Sequence, residues 1–181
     1  MLPKVEVSVA PANANAQIFL GDVAQNCNEA EWARSHFEKS AVMLRETGDG
    51  DINFIAYSIR RLAQMSWREG DYEKAFTLCK ESLELNQEAG DPRGVIACLA
   101  GFAASSVAQG KFERSATLMA AVETQLTTIG KLLHMDEAEY DRNLALLKTQ
   151  LDGKIFAKCW AKGKAMTLER AIGFALQDAP E

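Results

Sequence analysis

The chain has 181 residues, 48% of them hydrophobic and 25% charged, which is enough apolar material for one compact domain or a short repeat array and excludes a largely disordered polymer. A formal net charge of −5 argues against direct binding of nucleic acid, where clustered Lys and Arg dominate. The four cysteines, Cys27, Cys79, Cys98 and Cys159, form no C-x-x-C pair and sit in apolar helical stretches, so they read as small core residues in a reducing, cytoplasmic setting.

Residues 1–15, with Pro3, Pro11 and an alternating VEVSV segment, are expected to be an N-terminal tail or linker, with a short edge strand as the alternative. Such a start also fits a piece of a longer protein. Met1–Val9 is too short and mixed for a secretory signal.

From Ala16 the chain repeats itself. NEAEWARSHFEKSAVMLRETGD, GDYEKAFTLCKESLELNQEAGD and GKFERSATLMAAVETQLTTIGK align, and their terminal glycines Gly48, Gly90 and Gly130 are 42 and 40 residues apart. Periods of this size predict stacked helical hairpins, none of which can bury its apolar face alone. The expected pairs over 16–130 are Ala16–Cys27 with Glu29–Thr47, Ile52–Glu69 with Tyr72–Ala89, and Arg93–Gln109 with Phe112–Ile129. Pro92 sits where a first-turn proline is tolerated. Gly94–Gly110 contains no charge and is apolar or small all round, yet is shorter than the about 20 apolar residues a membrane span needs, so no membrane association is expected.

Residues 131–181 are expected to form capping helices over Asp136–Leu151, Lys154–Ala161 and Leu168–Gln177, the last N-capped by Thr167. Because the Arg93–Gln109 helix has no polar face, this tail must fold back over it and close the stack. The fold class is therefore all-α: a right-handed helical-hairpin superhelix of three pairs, closed by C-terminal capping helices.

The repeats resemble the tetratricopeptide repeat. Gly70-Asp71-Tyr72 with Ala75 and Ser82 carries its turn and small-residue positions, Gly110-Lys111-Phe112 with Ser115 carries part, and Asn28-Glu29-Ala30 with Ala33 and Ser40 is a looser version. The proline that closes each unit is replaced by Gly-Asp or Gly-Lys, and the period exceeds the usual about 34 residues. This longer variant is similar to repeats in the C-terminal part of large bacterial regulators that join a signalling NTPase to a LuxR-type DNA-binding domain or a nucleotide cyclase. AAVETQLTTIG, DEAEYDRNLALLKTQL and FAKCWAKGKAMTLERAIGFAL extend the similarity to the tail. The resemblance implies a non-catalytic interaction or sensing module in signal transduction or transcription regulation, and transfers no catalytic residue.

Other patterns point to no chemistry. Asp49, Asp51 and Asn53 open like a calcium loop, but Phe54 and Arg60 stand where that loop needs Gly and Glu. His36 and His134 have no metal-ligand partners on a shared helix face, and His36 falls at the position of Leu78 in the next repeat. Asp136, Glu137, Glu139 and Asp141 are expected to offset a helix dipole. Lys154, Lys158, Lys162 and Lys164 would make a basic helix face opposite Phe156 and Trp160, solvated or docked on an acidic surface. No catalytic residue, cofactor or metal is expected.

In tetratricopeptide arrays the first helix of each pair lines the concave surface. That geometry nominates Asp22 and Gln25 from the first pair and Tyr57, Arg60, Gln64 and Trp67 from the second, the last four in a 3-4-3 spacing on one helix face. A face that is polar yet aromatic suits recognition of a protein or peptide. Arg61 is expected to point elsewhere. The rival readings are a small-molecule effector held in a closed groove pocket lined by Tyr57, Arg60 and Trp67, and a homodimer formed through an exposed apolar patch on an outer helix.

Overall fold

The computed structural model describes residues 10–47, 51–129 and 137–177. Among these residues all regular structure is helical: α1 Ala10–Asn26, α2 Ala30–Thr47, α3 Ile52–Arg68, α4 Tyr72–Glu88, α5 Pro92–Ala108, α6 Phe112–Ile129, α7 Glu137–Gln150, α8 Gly153–Lys164 and α9 Leu168–Leu176. Consecutive helices form the hairpins α1–α2, α3–α4 and α5–α6, and each pair stacks on the next through α2 against α3 and α4 against α5.

The turns within the pairs, and the one that joins α4 to α5, repeat one device. A residue at positive φ ends the helix: Asn28 at 62°, Gly70 at 85°, Gly90 at 65° and Gly110 at 72°. One residue later a backbone N–H reaches back to a carbonyl of the closing turn: Glu29 to Ala24, Asp71 to Ser66, Asp91 to Asn86 and Lys111 to Ser106, at 2.8–2.9 Å. This satisfies carbonyls the helix end would leave bare, and the left-handed backbone favours Gly, or Asn as the next best residue. Asp51, Asp71 and Asp91 then cap the N-termini of α3, α4 and α5 through their carboxylates, so Asp51 serves a helix start.

Most helix ends fall within a residue or so of the sequence reading, α8 runs three residues further to Lys164, and the first helix differs at both ends. α1 begins at Ala10, inside the stretch expected to be a tail, and Ala14 is fully buried. The Ala-Asn composition there hides the apolar period, while Ala favours helix and Pro11 is harmless in a first turn. Cys27 lies beyond the end of α1 and is exposed, unlike Cys79, Cys98 and Cys159. The VEVSV segment, Asp49, His134 and Asp136 lie outside the described residues.

The tail folds back as expected from α5. Val95–Leu99 and Gly101–Ser106 are buried, so every side of that helix is covered. α7 packs on α5 and α6, α8 on α6, and α9 on both. Leu147, Cys159, Ala171 and Ala175 enter one core cluster with Leu99, Phe102, Leu118 and Met119. A second, smaller cluster of Ala24, Ala33, Phe37, Leu62 and Met65 joins α1, α2 and α3.

Candidate functional site

Five of the six nominated residues, Asp22, Gln25, Tyr57, Arg60 and Gln64, address one another or a neighbour across α1 and α3, and Trp67 packs in the core. The Tyr57 hydroxyl donates to both carboxylate oxygens of Asp22, at 3.0 and 2.9 Å. Arg61 approaches the same carboxylate at 3.1 Å and donates to Gln64 Oε1 at 2.5 Å. Gln25 Nε2 donates to the same Gln64 oxygen at 3.3 Å. Gln64 Nε2 donates to Glu139 Oε2 on α7 at 2.6 Å, and Arg68 reaches that oxygen at 3.1 Å. A continuous polar chain thus runs from α1 across α3 to α7.

Arg61, expected to point away, is the centre of this chain and its side chain is 0% exposed. Its guanidinium also lies 5.5 Å from the Phe37 ring centroid and 5.9 Å from that of Tyr57, while Arg60 lies over Tyr57 at 5.2 Å. The 3-4-3 pattern of 57, 60, 64 and 67 was one choice of stripe. The 4-3-4 pattern of 57, 61, 64 and 68 is equally helical and is the one that faces Asp22 and Glu139. Burial, with the Asp22 carboxylate, outweighs the two guanidinium groups and pushes the Tyr57 hydroxyl up to about 12. Burial likewise holds Tyr140 on α7 well above its ordinary value, assisted by Glu123 and Asp141.

Trp67 belongs to the core cluster. With Arg60, Glu139 and Tyr140 it borders a cavity of about 20 Å³, room for about one water molecule. Among the described residues, α7 lies over the groove between α3 and α5 and leaves only this small cavity beside Trp67. Glu139 does more than offset a dipole: it ties α7 to α3.

The remaining candidates are accounted for by packing. His36 Nδ1 lies 2.6 Å from Gln17 Oε1, joining α2 to α1 at a half-buried boundary. Cys98 Sγ lies 3.3 Å from Ser82 Oγ in the α4–α5 seam, and the Cys98 thiol together with burial pushes the Cys79 thiol well up. The basic stripe of α8 is divided: Lys162 lies 4.6 Å over the Phe174 ring, Lys164 pairs with Glu123 at 3.4 Å, and Phe156 and Trp160 stack at 5.0 Å. Among the described residues no group of His, Cys, Asp and Glu could hold a metal ion, and no helix is long and apolar enough to cross a membrane.

What the sequence reading did not assign is the outer surface of the first pair, where Phe19, Leu20, Val23 and Trp32 are exposed. The signal was available: within Ala10–Asn26 the one charged residue is Asp22, and it turns inward to Arg61. Comparison with protein families, curated proteins and solved structures finds no match to this chain.

Proposed function

We propose that the chain is a non-catalytic protein-interaction module, a helical-repeat scaffold that serves a signalling or transcription regulator. The regulatory setting rests on the resemblance of its repeats and tail to those of large bacterial regulators. The interaction role rests on one observation: large apolar side chains stand exposed on the α1–α2 pair, while the polar residues of the groove are engaged with one another and, through Gln64, with Glu139 of α7. Contiguous exposed apolar surface on a folded domain marks a place where another surface docks. The binding face is then α1 with Trp32, in place of the concave residues nominated from the sequence.

Immobilised chain exposed to an extract of the source cells tests this reading. The wild type is expected to retain a discrete set of proteins, further copies of itself included. Phe19→Glu and Trp32→Glu should abolish that retention, while Arg60→Glu leaves it intact. Retention of nothing by the wild type, or loss through Arg60→Glu alone, would sink the proposal.

A further inference from the structure

Cys79 and Cys98 face each other across the α4–α5 seam, which joins the second pair to the third. Both are buried, at 2% and 0% exposure. Cys79 Sγ lies 3.5 Å from the Cys98 carbonyl oxygen, and the two thiols are also hydrogen-bonded to each other. The helices come this close because small residues line the seam. A Cβ on Gly101, one turn after Cys98, would lie 3.2 Å from Cys79 Sγ. Sulfurs in such contact stand within reach of the bond of about 2 Å that a disulfide makes.

A cysteine that only fills space needs no polar company, yet this pair has it. The Ser82 hydroxyl donates to the Ala56 carbonyl at 2.7 Å, so toward Cys98 Sγ, 3.3 Å away, it is the acceptor. Asn86 Nδ2 is anchored on the Ser82 carbonyl at 2.7 Å and offers a second hydrogen to Cys98 Sγ at 3.7 Å. Gly94 makes room for that amide, since a Cβ there would fall 1.7 Å from Asn86 Oδ1. Burial pushes the Cys98 thiol up, but Cys79, Ser82, Arg60 and Asn86 together outweigh it and hold the thiol below its ordinary value. Cys98 and burial push Cys79 the other way. Cys98 is thus the readier nucleophile, with Cys79 beside it as a resolving thiol.

We infer that Cys79 and Cys98 are a reversible redox pair, in which hydrogen peroxide closes a disulfide across the α4–α5 seam. The Cys98 sulfur attacks one peroxide oxygen: an S–O bond forms, the O–O bond breaks, and the leaving hydroxide takes the Cys98 proton as water. The Cys79 sulfur then attacks the sulfur of this sulfenic acid. An S–S bond forms, the S–O bond breaks, and a second water carries off the Cys79 proton. The two thiols lose two electrons in all, and the peroxide gains them. A small dithiol reverses the change by exchange. Because both sulfurs are buried, peroxide reaches them only when the seam opens locally, so closure is slower than oxidation of the exposed Cys27. The bond would tie the second pair to the third. It concerns this seam alone and stands apart from the α1 face.

The test uses the full chain carrying Cys27→Ser, which removes the exposed thiol and leaves three buried ones. After treatment with hydrogen peroxide the chain is unfolded in an alkylating reagent and its mass is measured. One alkylated cysteine, Cys159, is expected, with Cys79 and Cys98 recovered as one linked peptide pair after digestion. Dithiothreitol should restore all three alkylations. Adding Cys79→Ser should halt the reaction at a Cys98 sulfenic acid that dimedone traps, whereas Cys98→Ser should leave Cys79 a thiol. Urea below the unfolding transition should speed closure, as opening of the seam requires. Three alkylated cysteines after a treatment that fully oxidises Cys27 in the unaltered chain overturn the inference, and this readout depends on the folding of neither serine variant. A bond that reaches Cys159 as readily as Cys79 overturns it as well.

Discussion

Arg61 shows how far one side chain can depart from its place on a helical projection. Its stem crosses the α1–α3 seam, and its guanidinium is held by Asp22 and Gln64 with no exposure to water. Removing one partner of a buried ion pair leaves the other charge with an uncompensated desolvation cost. Arg61→Ala should therefore lower stability by about 3–5 kcal/mol. Lys80→Ala, which breaks an exposed pair with Glu84 on α4, should cost less than about 0.5 kcal/mol. Urea unfolding followed by circular dichroism measures both, and equal losses would mean that Arg61 is not the keystone of the seam. Asn28 is a second lesson at this scale. It occupies a left-handed turn that its repeats fill with Gly, so the turn was legible in Asn28 once the repeat was aligned.

Between elements, contact is decided by how closely two backbones approach. α8 lies so near α6 that a Cβ placed on Gly163 would fall 2.1 Å from the Thr117 carbonyl oxygen, an atom that cannot swing aside. Gly163→Ala is expected to force α8 off α6 and cost about 1–3 kcal/mol or more. Gly173 on α9 has nothing within 4 Å of the same hypothetical atom and sits in a helix interior, where Ala is the better residue. Gly173→Ala should raise stability by about 0.5–1 kcal/mol. Thermal unfolding of the two variants gives shifts of opposite sign, and a neutral Gly163→Ala would contradict the packing described. Neither glycine could be ranked from sequence, because both lie in similar short amphipathic runs.

At the scale of the molecule, the two ends of the stack are finished differently. At the C-terminal end α7, α8 and α9 cover α5 and α6, as the all-round apolar character of Gly94–Gly110 requires. A chain ending at Ile129 would expose that surface, and it should aggregate or bind a hydrophobic dye without a cooperative unfolding transition; a soluble, cooperatively unfolding truncation would show that the cap is dispensable. At the other end, the outer face of α1 carries apolar residues at the positions its sister helices bury. Among the described residues, one end is covered by α7, α8 and α9, and the other leaves Phe19, Leu20 and Val23 exposed.

The sequence by itself determined the helices, the left-handed turns between them, the period of the repeat and the need for a cap over α5. Each of these depends on neighbours a few residues apart: side chains at i and i+4, a residue that tolerates positive φ, and a helix with no polar side. Tertiary structure alone decided which polar residues would be consumed. Tyr57, Arg61 and Gln64 reach partners 35 to 75 residues away, and no local period encodes whether α1 or α7 will supply the opposing carboxylate. It also decided that the same helix positions are core on α3 and α5 and surface on α1, because burial belongs to what lies across a seam and not to the side chain that faces it.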